Sequence, residues 1–188
     1  MKHLFVDRLK LLNKVLSGLQ ITDERGAILK HQTGFETLLR LTIEAGHKHD
    51  NIFLIGNGAS ASMASHIAAD LCKNARLSTE VFSDPSLLTA VANDVGTDQL
   101  FAVPLQRRGK KDDILVTISS SGKSRNILEA VKTARKIGMK VITFSAMKSD
   151  NSLRKLGDLN FYVRADTFGL AESAHAVLLH YWVDAISG

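Results

Sequence analysis

Between residues 51 and 165 five short apolar runs recur, IFLIG (52–56), TEVFS (79–83), DILVTIS (113–119), MKVITFS (139–145) and LNFYVRA (159–165), separated by stretches of helical length. Short runs that are apolar nearly throughout belong to strands covered on both faces, and strands that alternate with helices build parallel sheets. The expectation is therefore an α/β fold, a three-layer αβα sandwich around a five-stranded parallel sheet. Helices are expected over about 61–74, 85–108 with a break near Gly96, 123–137, 150–157 and 169–186. Two N-terminal helices precede the first strand. Leu4, Leu9, Leu11, Leu12, Val15 and Leu19 form one apolar stripe, and Leu29, Phe35, Leu38, Leu39 and Ile43 form a second over residues 23–48.

A chain of 188 residues suits one domain, since at this size roughly two thirds of the unfolded surface is buried without staples. No repeat, biased tract or proline-rich linker divides it. The reading is a single domain over 1–188, with the helices of 1–48 packing on it or serving oligomerisation and the αβα core spanning 51–188. One cysteine, Cys72, excludes a disulfide framework. A reducing cytoplasm fits, because the N-terminal segment has charges at helical spacing and no apolar core of a secretory leader. No apolar run reaches the roughly 18 residues of a membrane span. The net charge of +5 raises nucleic acid as a partner, but the basic residues stand in short groups such as RRGKKDD (107–113), broken by acids and without interleaved aromatics. Neither nucleic acid nor membrane is expected as a partner; the positive balance suits a small anionic substrate.

Two loops are built for such an anion. GNGAS (56–60) leaves the first strand and enters a helix, and its glycines allow positive φ and close backbone approach. A helix N-terminus offers free N–H groups and the positive end of the dipole. The spacing is not GxGxxG with a later acid, nor a Walker loop, so a nucleotide is disfavoured. SSSGKS (119–124) repeats the strand-to-helix exit with four hydroxyls, Ser119, Ser120, Ser121 and Ser124, around one glycine. Capping accounts for one or two serines; four make a neutral cradle for a phosphate dianion.

The helix after the first loop carries His66 and Asp70 at i and i+4, on one face. The last helix carries Glu172, His175 and His180 among Ala174, Ala176, Val177, Leu178 and Leu179, polar groups that need partners in such surroundings. Glu172 and His180 share a face at eight residues, with His175 flanking. Two imidazoles and two carboxylates, His66, Asp70, Glu172 and His180, suit zinc or a similar divalent ion if the two helices meet.

GNGASAS with its later His66 and Asp70, AVANDVG (90–96), ISSSGKS (118–124) and GLAESAHAVLLH (169–180) together resemble the sugar isomerase (SIS) domain family, and within it the phosphoheptose isomerase-like branch. The resemblance covers nearly the whole chain. It implies a phosphosugar-binding αβα sandwich, a cytoplasmic homotetramer, and phosphate binding by Ser60, Ser119, Ser120, Ser121 and Ser124 beside Asn57 and Gly58. It places Asp94 near the sugar, although an Asn93–Asp94 pair also suits a helix end. It implies an aldose–ketose isomerase, acting on sedoheptulose 7-phosphate to give D-glycero-D-manno-heptose 7-phosphate, with a divalent metal, zinc, as cofactor. His180 and a carboxylate, Asp70 or Glu172, carry the acid/base work through an enediol. Two departures stand out: Asp70 occupies a position where the branch has Glu, and Glu172 one where it has Gln. A non-catalytic sensor or adaptor of the same fold explains those departures, but not the cluster of imidazoles.

Overall fold

The computed structural model describes residues 4–188. In chain order the elements are α1 (Phe5–Ser17), β1 (Gln20–Asp23), β2 (Ile28–Leu29), α2 (His31–Lys48), β3 (Ile52–Gly56), α3 (Ala59–Ala75), β4 (Thr79–Glu80), α4 (Pro85–Asp94), α5 (Ala102–Arg108), β5 (Ile114–Ser119), α6 (Arg125–Ile137), β6 (Lys140–Ala146), β7 (Leu159–Val163) and α7 (Phe168–Ser187). Residues 1–3 of the expected N-terminal helical segment lie outside the described residues.

Alternate side chains of the central strands enter two separate cores. Ile52, Leu54, Val116, Ile118, Ile142 and Phe144 face α3 and α7, while Phe53, Ile55, Leu115 and Val141 face α5 and α6. Both faces of the sheet are thus covered, the condition that makes β3, β5 and β7 buried along their whole length. On the α7 side, Phe161 stacks on Phe144 with ring centroids 4.7 Å apart. Trp182, fully buried, donates its indole N–H to Thr42 Oγ1 at 3.0 Å, joining α7 to α2.

The sheet corrects the expected strand count. It has seven strands in the order β2-β1-β7-β6-β5-β3-β4. The five expected strands form its parallel part, and β1 pairs antiparallel with β7, so the sheet is mixed. The two leading helices are consequently not adjacent in sequence; the hairpin Gln20–Leu29 separates them. Its turn is held by the Asp23 carboxylate, which accepts from the N–H groups of Arg25 and Ala27 at 2.9 Å each, with Gly26 at φ +80°. Ile21 is wholly buried and lies where any side chain at Gly34 would be, 2.6 Å from a Cβ built there, so β1 packs tightly beneath α2.

Smaller corrections follow from local chemistry. The expected strand 79–83 ends at Glu80, because Asp84 caps α4 by accepting from Leu87 N–H at 2.8 Å and Pro85 supplies its first turn. The break expected near Gly96 in the helix 85–108 is present, from the end of α4 at Asp94 to the start of α5 at Ala102, and Gly96 has a φ of +132° that no helix accommodates. The expected helix 150–157 shrinks to one 3₁₀ turn, Leu153–Lys155. On α1 only Val15 is buried, and Leu4, Leu9 and Leu11 of the apolar stripe, with Phe5 beside them, are exposed in the single chain. No helix among the described residues is long and apolar enough to cross a membrane.

Candidate functional site

β3 and β5 are neighbours in the sheet, so the two loops leaving their carboxyl ends stand side by side. At the first, Gly56 must lack a side chain: a Cβ there would meet the Ser60 backbone at 2.6 Å. Gly58 is the residue before α3, at φ 55° and ψ −125°, a conformation that glycine alone adopts comfortably. The turn it permits buries Ser60 and leaves Asn57 exposed at the lip.

In the serine loop the four hydroxyls divide into two kinds. Ser119 Oγ accepts from Gly122 N–H at 3.2 Å and Ser121 Oγ from Lys123 N–H at 3.3 Å, so these two shape the loop. Ser124 occupies the N-cap position of α6 and makes no capping bond, and the buried Ser120 Oγ has no partner. Their hydroxyls remain free for a ligand. Gly122, at φ +60°, is pressed against Asn151, whose amide donates to the carbonyls of Ala146 at 3.1 Å and Lys148 at 2.9 Å. Lys123 is exposed.

The loops enclose a cavity of about 100 Å³ lined by Asn57, Ser60, Ile118, the four serines of the loop, Phe168 and Glu172. A larger cleft of about 620 Å³ lies elsewhere, between α1 and the end of β7, with Lys14, Arg154, Tyr162 and Arg164 in its wall, and shares no residue with this one. The smaller cavity is the candidate site because the unpartnered hydroxyls, the glycine turn and a helix start converge there.

α3 and α7 pack together and both begin at this cavity, α3 with Ser60 and α7 with Phe168 and Glu172. Further along the pair, His66, Asp70 and His180 converge, with one ligand atom from each within 4.8 Å of the others. His66 Nε2 is 3.3 Å from Asp70 Oδ2, and the His66 and His180 rings meet edge to face at 5.2 Å. Two ligands bound at 2.0–2.1 Å to a tetrahedral ion stand roughly 3.3 Å apart, so the His66–Asp70 spacing and the two-imidazole, one-carboxylate donor set fit zinc or a similar divalent cation.

The other residues singled out from the sequence fall in different places. Glu172 stands apart from the three converging ligands and belongs to the wall of the serine cavity. Asp94 is exposed at the end of α4, accepts from the Asn93 amide at 2.7 Å, and is not among the cavity-lining residues. Gly58 shapes the turn without lining the cavity. His175 is buried against the edge of the Phe144 ring; burial pushes its pKa down from 6.5 to about 4, slightly opposed by the Ser145 backbone, so it is neutral at ordinary pH. That backbone is not placed as a well-formed hydrogen bond to either ring nitrogen.

One residue escapes the sequence reading. Asn126, in the first turn of α6, exchanges two amide hydrogen bonds with Asn57, at 2.9 and 2.8 Å, and ties the glycine turn to the serine loop. An asparagine in a first helical turn is common enough to carry no signal, and its partner lies 69 residues away.

A family model described as the SIS domain matches residues 25–146. A phosphoheptose isomerase of Helicobacter pylori strain P12 is 34% identical over 154 residues, which cover 79% of this chain and 80% of the relative. The chain belongs to the SIS domain family, in its phosphoheptose isomerase branch. A second Helicobacter pylori phosphoheptose isomerase, from strain ATCC 700392 / 26695, is 31% identical over 191 residues, covering 98% of this SIS chain and 93% of the relative. The solved structure of phosphoheptose isomerase GmhA from Neisseria gonorrhoeae superposes with a TM-score of 0.75 at 30% identity, over 82% of this chain and 86% of that one. The SIS fold is thus shared over most of this chain.

Proposed function

We propose that this protein is an aldose–ketose isomerase that interconverts sedoheptulose 7-phosphate and D-glycero-D-manno-heptose 7-phosphate. The observation that carries the reading is the pairing of α3 with α7, which sets a serine-lined cavity and a His66–Asp70–His180 cluster along one pair of helices. Phosphoheptose isomerases at 31–34% identity support the same activity.

Phosphate lies in the cavity, receiving hydrogen bonds from Ser120 and Ser124, with Ser60, Ser119 and Ser121 around it and Asn57 at the lip. The eight residues from Glu172 to His180 correspond to roughly 12 Å of helix, and a seven-carbon chain at about 1.5 Å per bond spans on the order of 8 Å. A heptose anchored by its phosphate thus runs along α7 from Glu172 toward His180. Binding energy at the phosphate orients the reacting carbons.

In the ketose-to-aldose direction a base takes a proton from carbon 1, alpha to the carbonyl, and returns it to carbon 2, while the proton on oxygen 1 is exchanged for one on oxygen 2. We assign the carbon proton to Asp70, which lies with His180 at the end of the helix pair that carbons 1 and 2 reach. His180 carries the oxygen proton. His66, Asp70 and His180 are the residues to hold a divalent ion, zinc in this reading, which when bound supplies polarisation of the carbonyl. The exposed stripe of α1 and the exposed Val177 and Tyr181 of α7 support assembly as a homotetramer, and a cytoplasmic location suits the single thiol. Asp94 belongs to this reading only as a residue of the sugar end.

The test is to incubate the purified protein with sedoheptulose 7-phosphate, with and without Zn²⁺ or Mn²⁺, and to follow aldose formation. Turnover that disappears in His180→Ala supports the isomerase. Tight sugar-phosphate binding with no turnover under any metal condition overturns it in favour of a sensor.

A further inference from the structure

Among the described residues four polar side chains are buried without a hydrogen-bond partner: Thr117, Ser120, Ser145 and His175, the last through both ring nitrogens. The sheet sorts them. Val116, Ile118, Phe144 and Ala146 face the α3/α7 core, so Thr117 and Ser145, which alternate with them, point to the opposite face. Ser120 follows Ile118 by two residues and lines the cavity together with Phe168 and Glu172 of α7, so it lies on the α7 side. Ser120 and His175 also flank the same end of β6. The Ser120 carbonyl accepts from Ala146 N–H at 3.2 Å, and the His175 ring packs on Phe144.

We infer that His175 is a positioning residue for the serine cavity, an imidazole that donates its N–H toward the Ser120 oxygen through one enclosed water, and so turns the Ser120 hydrogen to the bound anion. The inference rests on the proposed phosphate site. A neutral imidazole has one donor and one acceptor, and a hydroxyl has one donor and two acceptor positions. An anion in the cavity attracts the Ser120 hydrogen, which leaves the serine oxygen as an acceptor facing the protein. The tautomer of His175 that donates to it completes the arrangement. Its effect is directional, because an uncharged ring adds no net attraction for phosphate. A leucine at 175 would match the surrounding helix better than an imidazole with two bare nitrogens; orientation of Ser120 gives the imidazole a reason to be there.

The test is calorimetric titration of the full chain with inorganic phosphate, together with KM and kcat for sedoheptulose 7-phosphate. The variants are His175→Leu, His175→Asn, His175→Gln, Ser120→Ala and His175→Leu/Ser120→Ala. His175→Leu is expected to weaken phosphate binding about tenfold, the worth of one hydrogen bond to a charged ligand, and to raise KM more than it lowers kcat. The double variant is expected to bind no more weakly than Ser120→Ala alone. One of the two amides, the one whose NH₂ reaches the position of the donating ring nitrogen, should restore affinity to within about threefold of the parent. Multiplying effects in the double variant, or unchanged affinity in His175→Leu, overturn the inference. If His175→Leu does not fold, the amides decide: a difference between them that vanishes in the Ser120→Ala background supports the role, and equal affinities overturn it. Failure of the unmodified protein to bind phosphate overturns the phosphate site itself, and the inference with it.

Discussion

Asn57 and Asn126 face each other across the mouth of the cavity and exchange two hydrogen bonds, 2.9 Å from the Asn57 amide and 2.8 Å from the Asn126 amide. Asn57 belongs to the glycine turn and Asn126 to the first helical turn after the serine loop, so the pair makes the two halves of the anion site one unit. Asn126→Ala leaves Asn57 without its partner. We expect a modest loss of stability, about 1 kcal/mol, because the pair is exposed. The larger effect is expected in KM for the sugar phosphate, which should rise about tenfold as the glycine turn loses its position relative to the serines. Steady-state kinetics beside a urea melt separates the two.

The glycine of the serine loop is a sharper structural test. At Gly122 the backbone is in the left-handed region and a Cβ would stand 2.1 Å from Asn151 Oδ1, which accepts from Arg154 N–H at 3.0 Å on a side chain whose amide nitrogen donates to two backbone carbonyls. Gly122→Ala combines strain at positive φ with a clash against a side chain that has nowhere to go. We expect a cost of about 2–3 kcal/mol, which for a chain of this size lowers the Tm by roughly 5–10 °C. Differential scanning calorimetry measures it, and a Tm within a degree of the parent refutes the account.

The parts of this molecule that local pattern determines are legible from residues alone. IFLIG is β3 over 52–56, since an apolar run between turn signals has one use, and the His66–Asp70 spacing puts both on one face of α3 by helical geometry. The hairpin 20–29 is another matter. Leu19 and Leu29 satisfy a helical stripe as well as they satisfy strand alternation, and what makes β1 a strand is β7, whose Phe161 pairs with Ile21 from 140 residues away. The candidate site divides in the same way. That His180 joins His66 depends on how α3 and α7 pack, and that Glu172 lies with the serines follows from its position two turns earlier, at the end of α7 where the serine loop stands. Residue spacing alone groups these side chains by face but not by height along the helix.

The His66–Asp70–His180 cluster predicts a metal dependence that each residue shares. Dialysis against a chelator should abolish turnover and readdition of Zn²⁺ should restore it. His66→Ala and His180→Ala each remove one of three donors, and metal content measured by atomic emission should fall well below one ion per chain in both. Glu172→Gln should keep its metal and most of its kcat, because its side chain lies in the serine cavity and not with the three ligands, whereas Asp70→Asn should lose activity on the order of a hundredfold as a proton-transfer group. Loss of metal in Glu172→Gln would show that the carboxylate swings to join the other three.

His175 also leaves a mark on stability, independent of any ligand. Its folded pKa is about 4 because burial disfavours the charged ring, against 6.5 for the same group in water. The unfolded chain therefore takes up a proton at this residue as pH falls below 6.5 while the folded chain does not, and stability declines across pH 6.5 to 4. Below pH 4 both states carry the proton and this contribution falls no further. The full loss amounts to about 3 kcal/mol. Urea unfolding of the parent and of His175→Leu at pH 7.5, 6.0 and 5.0 isolates it, since all other titrating groups are common to both proteins. The stability difference should shift by about 2 kcal/mol in favour of the leucine variant between the highest and the lowest pH. A difference that stays constant with pH means the imidazole is already protonated, or already open to water, in the native protein.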